Sequence, residues 1–145
     1  MKILLDTSVL VAAFVEHHPR HAASLACHRD ALRADEGLCI AAHSLAEVYA
    51  VLTRLPVRPP IAPGVARRLV RENLLGGAKV IEMDREDYAA VLDRMADNAL
   101  TGGALYDALV VQAALKADVD RVHTWNGADF RRVWPEAGSR LDVLA

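Results

Sequence analysis

The sequence predicts an α/β domain of three layers, with helices on both faces of a central, mostly parallel sheet of about four or five short strands. Three observations carry that expectation. Strand-like and helix-like segments alternate along the chain. The strand-like runs are short and continuously apolar, as strands covered on both faces are. The length of 145 residues suits one domain, 1–145, with a core that needs no disulfide or metal to hold it.

The elements follow in order. Lys2-Ile3-Leu4-Leu5 is an apolar run that stops at Asp6, and Ser8–Phe14 continues as a short helix. An apolar face over Val9–Phe14 is a candidate surface for a homodimer. His21–Leu32 is Ala-rich and helical, and Leu38-Cys39-Ile40, after Gly37, is a second strand. Leu45, Val48, Leu52 and Leu55 recur at helical spacing, and Ser44-Leu45-Ala46-Glu47 reads as a capping box opening that helix. Pro56, Pro59, Pro60 and Pro63 mark a loop. Helix resumes over Arg67–Leu75 and is stopped by Gly76-Gly77. Lys79-Val80-Ile81 is a third strand, and Asp84 caps a helix running towards Leu100. Leu105–Ala117 is apolar on nearly every side and predicts a helix buried all round. Arg121–Thr124 and Leu141-Asp142-Val143 complete the strands.

Composition excludes several classes. Apolar residues make up 53% and the formal charge is −2, so the chain is neither disordered nor a binder of nucleic acid through bulk positive charge. Two cysteines, Cys27 and Cys39, are too few for a disulfide framework and suit a reducing compartment. No apolar run is long enough to span a bilayer, and Asp6 interrupts the one N-terminal stretch that approaches a secretory signal. A cytoplasmic location is the expectation.

In open parallel sheets, ligands bind beyond the carboxyl ends of the strands. Four places reach that edge with oxygen ligands: Asp6 after the first strand, Glu47 early in the third helix, Asp107 opening the most apolar helix, and Asn126 with Asp129 after the fourth strand. Each has a local explanation. Asp6 and Asp129 are potential N-caps, Glu47 completes the capping box, Asn126-Gly127 signals a turn, and Asp107 favours a helix start. Their coincidence at one edge is what no local explanation covers. Together they form a hard, oxygen-only, anionic pocket suited to Mg²⁺, with Mn²⁺ able to substitute, and hence to hydrolysis of a phosphodiester.

These residues resemble the PIN-domain nucleases, and more closely the VapC-type toxins of bacterial toxin–antitoxin pairs. The likeness rests on Ile3-Leu4-Leu5-Asp6-Thr7-Ser8-Val9-Leu10, on Ser44-Leu45-Ala46-Glu47-Val48, on Tyr106-Asp107-Ala108-Leu109, and on Thr124-Trp125-Asn126-Gly127-Ala128-Asp129-Phe130. It implies metal ligation by Asp6, Glu47 and Asp107, with Thr7, Ser8 and Thr124 in support. The family's fourth position, often Asp, falls on Asn126, a neutral amide; Asp129 is the candidate to supply the missing charge. The resemblance also implies Mg²⁺-dependent cleavage of single-stranded RNA, such as tRNA or rRNA, to 5′-phosphate and 3′-hydroxyl ends. It further implies a small VapB-like antitoxin as partner, and a homodimer.

Charge distribution adds an RNA-facing candidate. Val51–Val80 holds six basic residues against one acid, whereas Ile81–Asp120 holds nine acids against three basic residues. Arg54, Arg67, Arg68 and Arg71 are the proposed RNA contacts, because phosphates need positive partners; a merely solvated helix face is the alternative. Two other functions stay open on sequence alone. One is a non-catalytic RNA- or protein-binding module whose metal site has decayed, which Asn126 would permit. The other is a phosphatase of the haloacid-dehalogenase type, although Ser8 stands where that chemistry wants a second Asp. His17, His18 and His21 lack the spacing of a zinc site, and Asp93 with Asp97 reads as a solvated face. Trp125 and Trp134 suit packing better than base stacking.

Overall fold

A computed structural model describes residues 1–145. Five strands form one fully parallel sheet: β1 (Ile3–Leu5), β2 (Leu38–Ala41), β3 (Ala78–Ile81), β4 (Arg121–Thr124) and β5 (Leu141–Val143), in the order β3-β2-β1-β4-β5. Seven α-helices surround it: α1 (Thr7–Phe14), α2 (His21–Arg33), α3 (Ala42–Arg54), α4 (Pro63–Val70), α5 (Arg85–Asp97), α6 (Ala104–Ala117) and α7 (Gly127–Val133). A π-helical turn, Arg71–Leu75, extends α4. None of these helices is long and apolar enough to cross a membrane.

Strand residues alternate between two cores, as a pleated backbone requires. Leu5, Leu38 and Ile40 point to one face and join Val9 and Leu10 of α1, Val48 and Leu52 of α3, and Ala66 and Val70 of α4. Leu4, Cys39, Ala41 and Val122 point to the other and join Val91 of α5, Val110 and Val111 of α6, and Phe130, Val133 and Trp134 around α7. The predicted three layers are therefore present. The strand order is decided across the chain: β1 lies between β2 and β4, with Ile3 in register with both Leu38 and Arg121. Strand order reverses between β1 and β4, which makes their carboxyl ends the crevice of the sheet.

Several local expectations are corrected. The helix after β2 begins at Ala42, because the strand runs straight into it with Ala41 as its cap. Ser44 is thus the third helical residue, fully buried, and its hydroxyl accepts from Thr7 Oγ1 at 3.3 Å; it caps nothing, and Glu47 lies in the second turn. Asp129 is likewise the third residue of α7, whose cap position is Asn126. Helix α4 starts at Pro63, whose fixed φ and absent N–H suit a first helical position. On α1 the apolar face is not exposed: Val9–Ala13 are buried within the chain, so no dimer surface lies there. Helix α6 leaves Tyr106 and Leu115 exposed, and is buried along most of its surface but not all of it. The cap at Asp84 is present as a full capping box with Asp87.

Gly127 shows why α7 begins where it does. A Cβ there would lie 2.7 Å from both Val143 methyls, so only glycine lets α7 pack this closely on β5.

Candidate active site

Asp6 is positioned by the sheet itself. Its backbone N–H donates to His123 O at 3.1 Å, continuing the ladder between β1 and β4. It occupies the cap position of α1, yet its side chain makes no cap bond. The carboxylate is turned instead to two hydroxyls: Ser8 Oγ and Thr124 Oγ1 each donate to Oδ2 at 2.8 Å. Each hydroxyl also accepts from the backbone of the β4–α7 loop. Trp125 N–H donates to Ser8 Oγ at 3.2 Å and Asn126 N–H to Thr124 Oγ1 at 2.9 Å. Ser8 and Thr124 thus fix both the carboxylate and the loop beside it.

Glu47 comes from α3 and Asp107 from the first turn of α6; with Asp6 and Asn126 they line one pocket of about 310 Å³. Their electrostatics confirm that they share it. Burial pushes Asp6 upward from the usual carboxylate range, and the Ser8 and Thr124 hydroxyls only partly oppose this. Burial raises Glu47 as well, with His43 opposing and Asp6 adding to the rise. Burial followed by repulsion from Asp6, Asp129 and Glu47 pushes Asp107 up to about 7, against an ordinary 3.8. Asp107 has no side-chain hydrogen bond or ion pair, and only the field of Arg132 opposes the rise. No three acids, histidines or cysteines lie close enough together in this structure to hold a metal ion. The acids face a common space and feel one another across it.

The remaining candidates separate. Asp129 does not line the pocket; it is exposed, 3.8 Å from Arg132, and reaches Asp107 only through its field. Thr7 lines the pocket beside Asp6. Arg54 lies on a neighbouring depression that shares Val51 and Leu55 with the acidic pocket. Arg67 and Arg71 line a separate groove of about 420 Å³ with Tyr49 and Pro63, and Arg68 lies alongside.

Two residues of interest escape a reading of the sequence. His43 Nε2 lies 3.1 Å from Glu47 Oε1, and its ring stacks flat on Tyr106 with centroids 5.0 Å apart. Its spacing of four residues before Glu47 is the one sequence signal that points to it. Arg20 lines the same pocket as the acids and has no such signal.

The hydroxyl supports of Asp6 give a measurable expectation. Ser8→Ala or Thr124→Val should lower any turnover at this site about ten- to hundredfold, as loss of a group orienting a ligand does, while circular dichroism remains native. Turnover equal to wild type in both variants would remove them from the site.

A crevice-edge acid after β1, joined by acids from two helices, places this chain among the acidic-pocket α/β domains. The model of the PIN domain matches residues 3–134, and the chain belongs to the PIN-domain family, in its VapC group. It is 39% identical to Ribonuclease VapC40 of Mycobacterium tuberculosis over 106 residues, 72% of either chain. Solved structures share the fold. VapC20 of M. tuberculosis, described as a sarcin-ricin loop cleaving toxin, superposes with a TM-score of 0.71 at 16% identity, covering 88% of this chain and 92% of its own. VapBC2 of Rickettsia felis, bound to a DNA fragment from its promoter, gives a TM-score of 0.65 at 16% identity, covering 99% and 98%. PIN-domain nucleases in general use a divalent metal.

Proposed function

We propose that this protein is a Mg²⁺-dependent endoribonuclease, the toxin of a VapBC-type pair, cleaving single-stranded RNA. The observation that carries the reading is that Asp6, Glu47 and Asp107 line one pocket at the crevice between β1 and β4, with no ion pair to Asp6 or Asp107. The donor set fits a hard divalent cation: every candidate ligand is an oxygen, and His43, 3.1 Å from Glu47, is the one basic group within ion-pair reach of the three acids. Asp6, Glu47 and Asp107 would hold Mg²⁺ or Mn²⁺, which would lower the pKa of a bound water and neutralise charge on the phosphodiester. Asn126 adds a neutral amide at the rim, and Asp129 acts through its field alone.

The chain's own residues do the rest. Ser8 and Thr124 keep Asp6 Oδ2 fixed, so the carboxylate need not reorganise when a phosphate arrives. Helices α1 and α6 begin at the site and direct the positive ends of their dipoles towards it. Arg54, Arg67, Arg68 and Arg71 would bind the RNA backbone on either side of α3, with Arg54 nearest the acids. A structured RNA such as tRNA or rRNA is the proposed substrate, VapC20 being described as cleaving the sarcin-ricin loop. A VapB-like antitoxin is consistent with the VapBC2 assembly; a homodimer, as the family resemblance implies, would pair through a surface other than the buried face of α1.

The test is direct. Purified protein with Mg²⁺ or Mn²⁺ should cut RNA to 5′-phosphate and 3′-hydroxyl fragments, and excess chelator should abolish the cutting. Undiminished cleavage in chelator would overturn the reading.

A second measurement follows from Asp107. Below pH 7 its carboxyl holds a proton that a cation must displace, so metal binding should strengthen as pH rises through about 7. Saturation at a hundred times Kd should stabilise the fold by about 2.7 kcal/mol. Thermal unfolding with and without Mn²⁺ should therefore show a larger upward shift at pH 8 than at pH 6. A shift independent of pH would place the cation elsewhere.

A further inference from the structure

We infer that Arg20 and Trp125 form a nucleobase subsite in the acidic pocket, one that stacks a base of the RNA strand beside the phosphate to be cut. This rests on the ribonuclease reading above and names where that substrate is held.

The pocket brings unlike groups together. Asp6, Glu47 and Asp107 supply acids, while His18, Arg20 and Trp125 supply basic and aromatic groups, with Val11 and Leu55 contributing apolar wall. The Arg20 guanidinium lies over the Trp125 ring, 4.5 Å from its centroid. Arg20 is exposed and makes no ion pair, whereas Arg94, Arg132 and Arg140 each approach a carboxylate. Its charge is therefore not spent on the acids of the pocket. A planar guanidinium layered on an indole presents its outer face as a flat cationic surface, and bases stack on such planes as they do on aromatic rings.

The platform is also held in register with Asp6. Trp125 Nε1 donates to Ser24 Oγ at 2.8 Å, and Ser24 is fully buried on α2. The backbone N–H of Trp125 donates to Ser8 Oγ, the hydroxyl that donates to Asp6 Oδ2. Arg20 N–H donates to His18 Nδ1 at 3.0 Å, which shapes the turn carrying Arg20. One serine thus connects the stacking surface to the acid, so a base on the surface and a phosphate at the acids are presented together. Trp134, by contrast, is buried in the core and cannot meet a ligand.

The protein is titrated with each of the four ribonucleoside 5′-monophosphates and with ribose 5-phosphate by isothermal titration calorimetry, which reads wild type and both variants alike. At least one nucleotide should bind about tenfold tighter than ribose 5-phosphate, in line with the worth of stacking a base. Arg20→Ala and Trp125→Phe should each reduce that advantage by at least threefold, and Arg20→Ala is exposed enough to leave the fold intact. Equal binding of sugar phosphate and nucleotide would overturn the subsite, as would an undiminished nucleotide advantage in Arg20→Ala, which would leave Arg20 a phosphate contact or a bystander. RNA cleavage is assayed separately. Base preference without cleavage sinks only the ribonuclease reading, and cleavage without base preference sinks only this subsite.

Discussion

Asp107→Asn should lower RNA cleavage by about 10³-fold or more, beyond the ten- to hundredfold expected for groups that merely orient a ligand. The same substitution should make the free protein more stable at pH 8. Both results have one cause. Burial and the fields of Asp6, Asp129 and Glu47 push the Asp107 carboxyl up to about 7, whereas in the unfolded chain it titrates near 3.8. Between those values the folded protein retains a proton that the unfolded chain has released. Stability conferred by that proton is complete below 3.8 and is lost as pH rises to about 7. Asparagine has no charge to suppress, so it recovers the loss above pH 7 and gains nothing at acid pH. Thermal unfolding at pH 5 and pH 8, paired with cleavage assays, checks both halves. A variant that is inactive and also less stable at pH 8 would show Asp107 to be a structural residue.

Phe130→Ala carries the largest expected effect on folding. Phe130 is fully buried and packs in one cluster with Ala108, Val110 and Val111 of α6, Val122 of β4 and Trp134. Truncating a buried Phe costs about 3–5 kcal/mol, from lost transfer energy and the cavity left behind. For a chain of this size that corresponds to a fall in Tm of roughly 6–20 °C. Activity should fall as well, because α7 anchors the loop that carries Trp125 and Asn126. Calorimetry checks the first result, with exposed Arg85→Ala as a control that should stay within about 0.5 kcal/mol of wild type. A Phe130→Ala protein melting with wild type would mean that α7 is not locked to the core.

The same α7 shows where reading the sequence succeeds and where it stops. Its apolar residues Phe130, Val133 and Trp134 mark it as packed, and Asp6 and Asp107 stand out because each interrupts an apolar stretch. Asp129 looked equivalent to them, since a carboxylate after a strand is a natural edge ligand. It is not, because α7 begins at Gly127 and rotates Asp129 outward to Arg132. Ser44 and Glu47 spelled a capping box, and the real helix start two residues before Ser44 was hidden in Ala41-Ala42, which carries no capping signal. His43 and Arg20 were illegible for a different reason. Each matters through a partner far along the chain, Tyr106 for the one and Trp125 for the other.

The sequence alone determined the class of fold and singled out the three acids as candidates, because apolar periodicity and the interruption of apolar runs are local properties of a chain. Tertiary structure decided that β1 lies beside β4, and with it that Thr124, 118 residues away, holds Asp6. Strand order depends on which apolar faces fill one another's space, and no window along the chain contains both partners of that fit.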